Sequence, residues 1–494
     1  MKFIGRVADG STETSARVIL LKGLEKEVAA ESLVIVDNGG NPSARLLGVL
    51  RGGLGKNEFL SPTAYRPDVA YMRHGGEPSA AREVYSFTIK PIGLIGEKGL
   101  EPNLFIIQPR SPVYLLEDED NPFSFMVKEA DVVWMDAYVE GHESWRVPVL
   151  KEFLSYHVGV YGSTGSGKSW FTHYVLVPLY LKADFRVLIL DWSGTDYAPH
   201  YASSSNAEVV EISKIALDEE AVLSYLNDKT SNFGGSSNVR DSFEIFVESW
   251  TEWVQKALNA AEAGEEPANL LHRQLKESVF ESVRKIKRPD YQEAAERAAR
   301  RAFRKLKPRD LRPIMGTLTI EDLMGRLKEK KVLIVDMGGT LAEAKLSFFL
   351  SLSNHLYDLM ESGEDLNLSL IIDEAPQYAP WDARGIQNNT TEMIKNLAAL
   401  GRKRKLNLTL ISQGIRGEIG INASVRRNIN THFFGRIHPL DAGGEGGASE
   451  WLSPYDIKPD QLLQLKPGRF YFSGAMNPSP VPLLITYKPP EGAR

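Results

Sequence analysis

The sequence predicts an α/β protein whose mainly parallel sheet is covered by helices, preceded by a small β-barrel and interrupted by a helical insertion. Three observations carry this. The first ~115 residues read as short strands between turn signals, a pattern of small antiparallel barrels or sandwiches. From residue ~150 onward, apolar runs ending in glycine or polar residues alternate with helical stretches. Between 214 and 325 the chain turns rich in Ala, Glu, Lys and Arg and poor in β-branched runs. The expected divisions are therefore 1–115, 116–213, 214–325 and 326–494, the last with a C-terminal extension.

In the first division the expected strands are Lys2–Ala8, Arg17–Leu21, Leu33–Asp37, Ala44–Leu50, Val84–Ile89 and Leu104–Ile107. Gly39-Gly40-Asn41-Pro42 and Gly52-Gly53 punctuate them. In the α/β part the expected buried strands are His157–Tyr161, Arg186–Leu190, Lys331–Val335, Ser369–Ile372, Leu408–Ile411 and His432–Gly435, with Phe470–Phe472 as an edge strand. These runs are apolar without alternation, as strands covered on both faces must be. Within the insertion, Phe243, Phe246, Val247, Trp250, Trp253, Val254 and Leu258 recur at i, i+3, i+4 spacing and predict the packing stripe of one helix.

Composition excludes several classes of protein. At roughly 150 residues per domain, 494 residues suggest about three folding units. A chain 43% hydrophobic and 25% charged has the make-up of a globular protein, not a disordered one. No apolar run approaches the ~18 residues of a membrane-spanning helix. Met1-Lys2-Phe3-Ile4-Gly5-Arg6 meets charge too early for a secretory apolar region, so a cytoplasmic location without membrane association is expected. With no cysteine, disulfides, thiol catalysis and Cys-ligated zinc are excluded. A formal charge of −6 excludes a protein that coats itself in nucleic acid, but not one with a single basic surface.

The strongest chemical signal is Gly162-Ser163-Thr164-Gly165-Ser166-Gly167-Lys168-Ser169, a full G-x-x-x-x-G-K-[ST] phosphate loop. About 0.02 accidental matches are expected in a chain this long at average glycine usage. The loop follows an apolar strand and precedes a plausible helix beginning at Trp170. Glycines let the backbone wrap a phosphate, inward-pointing amides and the helix N-terminus bind it, and Lys168 reaches the β and γ phosphates. The expected nucleotide contacts are Gly162, Thr164, Gly165, Ser166, Gly167, Lys168, Ser169 and Trp170, with ATP and Mg²⁺ as cofactors and the Ser169 hydroxyl on the metal.

Leu368-Ser369-Leu370-Ile371-Ile372 ends in Asp373-Glu374. Ligands of open α/β sheets bind beyond the carboxyl ends of the strands, so Asp373 is the expected magnesium carboxylate and Glu374 the expected general base for water. Two further strands end in Asp191 and Asp336, which lack a following Glu and are read as turn residues, Asp191 nearer the nucleotide. Leu408-Thr409-Leu410-Ile411-Ser412 ends in Gln413, a neutral amide able to report on the γ-phosphate.

Taken together, the chain resembles the HerA branch of the HerA–FtsK ATPases. The residues that carry the likeness are Ser155-Tyr156-His157 leading into 162–169, Asp191-Trp192-Ser193-Gly194, Ile371-Ile372-Asp373-Glu374-Ala375, Gly401-Arg402-Lys403 and Ile411-Ser412-Gln413. The resemblance implies a RecA-like core and a homohexamer that hydrolyses ATP and translocates or unwinds double-stranded DNA. It also implies work with a NurA-type nuclease in end processing and repair. A conjugation- or secretion-type motor, or a defence-associated one, moving DNA or nucleoprotein, is the alternative. By the same resemblance Arg402 would be an arginine finger offered to the neighbouring subunit. The chain departs from the family at Tyr156, at Ala399-Leu400 and at Gly414-Ile415, where Arg, Arg-Glu and Arg-Pro are common.

For DNA, Arg284 to Arg312 holds twelve Lys/Arg and four Asp/Glu, an excess of +8. Arg297, Arg300, Arg301 and Arg304 recur at helical spacing and form either a phosphate-binding face or a solvated one. Arg384, in the loop 381–389 after the acidic strand, is the other candidate for DNA contact, ahead of Arg416, Arg426 and Arg427.

Overall fold

The computed structural model describes residues 1–39, 44–61, 67–77, 82–96, 99–261 and 265–489. The expected turn at Gly40-Asn41-Pro42 lies outside them. The strands, in chain order, begin with β1 (Lys2–Val7), β2 (Ala16–Leu20), β3 (Leu33–Asp37), β4 (Arg45–Asn57), β5 (Glu83–Gly96), β6 (Gly99–Glu101) and β7 (Pro112–Leu115). They continue with β8 (Val132–Val139), β9 (Arg146–Leu150), β10 (His157–Tyr161), β11 (Arg186–Asp191), β12 (Ala207–Glu211) and β13 (Val332–Asp336). The last are β14 (Leu368–Ile372), β15 (Leu406–Ser412), β16 (Ile429–Phe434), β17 (Arg469–Gly474) and β18 (Leu483–Thr486). The chain forms two compact units, one of residues 1–153, 162–179 and 431–494, the other of 154–161 and 180–430.

In the first unit, strands run in the order β2-β1-β7-β3-β4-β5-β6, and β2 also pairs with β5, closing a six-stranded barrel that β6 extends. Alternate residues point inward, so Ile4, Val18, Val34, Val36, Leu46, Leu50, Ile89 and Val113 fill its core. The expected strand Leu104–Ile107 is irregular. Leu104, Phe105 and Ile106 are 80%, 66% and 63% exposed, and the barrel's place is taken by β7, eight residues further on. An apolar triplet without alternation had no inward face to bury, which is why it escaped the barrel.

The same unit holds an antiparallel sheet in the order β16-β17-β18-β8-β9. Phe470–Phe472 is therefore no edge strand, because β17 is paired on both sides. Arg51 links barrel and sheet. Its guanidinium is fully buried, paired with Glu31, and donates to the carbonyls of Tyr455 (2.7 Å) and Pro482 (2.6 Å).

The second unit is built on a parallel sheet in the order β12-β13-β11-β14-β15-β10. Every residue of β10, β14 and β15 is buried, as the unbroken apolar runs predict. Because the strands are parallel, their carboxyl ends share one edge. Tyr161 pairs with Ser412, and Ile372 with Leu410. The expected stripe from Phe243 to Leu258 is split between two helices, Ser237–Val247 and Trp250–Ala261. Its face is nevertheless a packing face: Phe243, Phe246, Val247, Trp250 and Val254 are buried, Phe246 stacks on Trp253, and the Trp250 indole donates to Ile314 O. Among the described residues no helix is long and apolar enough to cross a membrane.

Candidate nucleotide and acidic sites

The phosphate loop starts at Gly162, the residue after β10, and ends in a helix that begins at Lys168 and passes through a π-helical turn at Thr172–Leu176. Gly165 (φ +75°) and Gly167 (φ +95°) occupy the left-handed region that side chains disfavour. A Cβ at Gly162 would fall 2.4 Å from Ser166 Oγ, so the tight wrap demands glycine there too. The loop is braced within its unit. Ser163 N and Oγ donate to Arg436 O at 2.7 and 3.1 Å, Gly468 N to Ser166 O at 2.9 Å, and Tyr487 OH to Gly167 O at 3.2 Å. Lys168 Nζ donates to Gly162 O at 2.7 Å and Ser163 O at 3.4 Å, which holds the ammonium across the loop. Thr164 is exposed, Ser166 fully buried, and Trp170 stacks on Tyr174 with ring centroids 5.4 Å apart.

The acidic edge of the parallel sheet lies in the second unit. Asp373 follows β14 and is 5% exposed, with Oδ2 buried and unbonded. Burial, then the charges of Glu374, Asp196 and Asp191, push its carboxyl well above the usual range. One carboxylate oxygen from each of Asp191, Asp196 and Asp373 lies within 4.8 Å of the others. Hard oxygen donors and an orphaned buried carboxylate oxygen suit a magnesium ion, which keeps several waters and takes one or two carboxylates. The residues present fit that ion. Asp191 is itself committed to the turn: Oδ1 accepts from Gly194 N and Ser193 Oγ, and Oδ2 from Tyr197 N and Ala198 N at 2.9 Å each. Asp196 was not legible as a member of this group, because only the turn closed by Asp191 brings it back to the sheet.

Glu374 stands in the left-handed region (φ +47°), uncommon for any residue but glycine and costly unless its surroundings fix it. Its fixing partner is Gln413, whose amide donates to Glu374 Oε1. Two residues expected from the sequence to share an edge are thus hydrogen-bonded. Lys345 lies nearby, 7% exposed, donating to Trp192 O at 2.7 Å and resting on the Trp192 ring; burial lowers its pKa while Asp191 and Asp336 hold it up.

Arg402 is engaged inside its own unit. Nη2 donates to Asn430 Oδ1 at 2.6 Å and Asn428 O at 3.3 Å, and the guanidinium lies over the Tyr156 ring. Arg384 is exposed and paired with Asp382. On the helix Pro289–Lys305, Arg297 pairs with Glu293, Arg301 donates to Gly234 O, and Arg304 is exposed with no partner among the described residues.

A phosphate loop after a buried parallel strand, with a carboxylate pair on another strand of the same sheet, defines a P-loop ATPase with a RecA-like core. Residues 140–360 match the family model described as the helicase HerA central domain. The match spans the phosphate loop and the Asp191 turn and ends before Asp373. Among solved structures, VirB4 of Thermoanaerobacter pseudethanolicus is 12% identical with a TM-score of 0.47, covering 74% of this chain and 98% of that one. The bacterial conjugative coupling protein TrwBΔN70 is 13% identical with a TM-score of 0.47, covering 76% and 92%. The genome packaging NTPase B204 of Sulfolobus turreted icosahedral virus 2, in complex with ATP-gammaS, is 12% identical with a TM-score of 0.30, covering 65% and 92%. These likenesses are too distant to carry function across. No curated protein sequence matches.

Proposed function

We propose that this protein is an ATP-driven motor of the HerA type: a homohexamer that translocates double-stranded DNA and serves a NurA-type nuclease in end processing. The phosphate loop, braced at both ends inside a HerA-type domain, is the observation that carries the reading. Lys168 neutralises the β and γ phosphates, and Ser169 and Asp373 hold the hydrated Mg²⁺. When bound, the ion draws charge from the phosphate oxygens and fixes their orientation. Glu374 orients and deprotonates water, Gln413 positions Glu374, and Arg402 is offered to the nucleotide of the neighbouring subunit after leaving Asn430. Arg384, Arg297, Arg301 and Arg304 contact DNA phosphates without reading sequence.

The deciding experiment measures ATP turnover with and without linear duplex DNA as salt is raised. DNA-stimulated hydrolysis that falls steeply with salt, through counterion release, is the expected result. Lys168→Ala should lower it by about 10²-fold or more. Hydrolysis indifferent to DNA at every salt concentration would overturn the motor reading.

A further inference from the structure

Besides Lys168, a second cation stands at the phosphate loop. Arg436 follows β16 by two residues, and its carbonyl accepts both the amide and the hydroxyl of Ser163. This fastens the Arg436 backbone to the base of the loop. Its side chain turns to the same loop: Nη2 lies 3.9 Å from where a Cβ on Gly165 would stand. The guanidinium is half-buried, and among the described residues it has no hydrogen bond, ion pair or ring contact. Arginines withdrawn from water ordinarily find a carboxylate or carbonyl partner, because an unpaired charge is costly to desolvate. Here the guanidinium faces Gly165 of the loop, and phosphate is the partner a planar donor fork fits best.

We infer that Arg436 is a phosphate-binding residue supplied in cis, its guanidinium gripping the polyphosphate of a nucleotide from the side of the loop opposite its helix. This rests on the reading of 162–169 as a triphosphate site. Lys168 and Arg436 then divide the work. Lys168 crosses the loop as a point charge, whereas Arg436 gives directional, paired donors. A residue placed this way raises affinity for nucleotides with two or three phosphates and contributes little for one.

The test uses the full chain and titrates a fluorescent ATPγS analogue, with ADP and AMP as competitors, against wild type, Arg436→Gln and Arg436→Lys. Arg436→Gln should weaken ATPγS and ADP about tenfold or more, the size of a lost charge-assisted pair, and leave AMP within about twofold. Arg436→Lys should recover part of the loss. Because the side chain holds no protein partner, the nucleotide-free melting temperature of Arg436→Gln should equal that of wild type. ATPγS affinity unchanged in Arg436→Gln overturns the assignment, even where DNA-stimulated turnover is intact. A tenfold loss in a protein whose turnover ignores DNA would instead uphold Arg436 and sink the motor reading.

Discussion

The side-chain amide of Gln413 donates to the carboxylate of Glu374, tying the ends of β15 and β14 together across the edge where the second unit carries its acidic groups. The bond explains how Glu374 is held at φ +47°. Gln413→Ala removes a hydrogen bond to a charged group, worth about 1.5–3 kcal/mol, so steady-state ATP turnover should fall roughly 10- to 100-fold. Glu374→Gln should fall further, about 10²-fold or more, through loss of the base, while nucleotide affinity persists. A Gln413→Ala enzyme with wild-type turnover would show that the pair is structural only.

Asp373 presents the opposite electrostatics. Its carboxyl is raised by burial and by three neighbouring acids, so the native fold bears a cost whenever it is ionised, above the ordinary carboxylate range. Asp373→Asn should therefore raise the melting temperature in EDTA at pH 8. The gain should shrink as pH falls and the wild-type carboxyl takes up its proton, and also when Mg²⁺ is added to the wild type. Calorimetry across pH, with and without the metal, measures this; a variant less stable at pH 8 would contradict it.

Arg402 has to exchange partners if it acts in trans. Arg402→Ala should lower turnover by about 10³-fold and leave nucleotide binding intact. Mixing Arg402→Ala with Glu374→Gln subunits should restore part of the activity, because a mixed boundary can pair an intact Glu374 with an intact Arg402. Absence of recovery in a mixed ring would leave Arg402 as the strut between Tyr156 and Asn430 that its present contacts describe.

His157 imposes a pH limit. Its Nε2 donates to Ala398 O and its Nδ1 accepts from Leu408 N, and burial lowers its pKa to about 4. The unfolded chain takes up the proton near pH 6.5, so the stabilisation is complete above that pH and is lost as pH falls toward 4. At about 1.36 kcal/mol per pKa unit the swing is about 3 kcal/mol. Urea midpoints of wild type and His157→Gln should converge between pH 6.5 and 4.5. A constant gap would mean that the imidazole does not titrate with folding.

Arg51→Ala leaves the nearly buried Glu31 without its counter-charge, held only by the Tyr471 hydroxyl, and strips the carbonyls of Tyr455 and Pro482 of a donor. Breaking such a pair costs about 3–5 kcal/mol, and the urea midpoint should move to lower concentration by a matching amount. Arg51→Met, which keeps volume, should recover part of the loss.

The site was legible where chemistry is local. Eight consecutive residues spell the phosphate loop, and the run into Asp373 and Glu374 marks a strand end. Parallel pairing then makes Gln413 their neighbour. The barrel was legible as strands but not as pairings, since closure through β2 and β5 joins residues 67 to 73 positions apart. Leu104–Ile107 misled because composition favours a strand whereas burial decides one. Asp196 and Arg436 carried no signal: Asp196 reaches its site through the turn that Asp191 closes, and Arg436 through a bond to Ser163, 273 residues away.

The Arg51 contacts join residues 404 and 431 positions apart. A ribosome delivers Arg51 ahead of two of the acceptors for its buried cation, by 404 and 431 residues. The barrel thus waits for much later residues to reach its final state, and chaperones or premature cleavage have that whole interval in which to act on it.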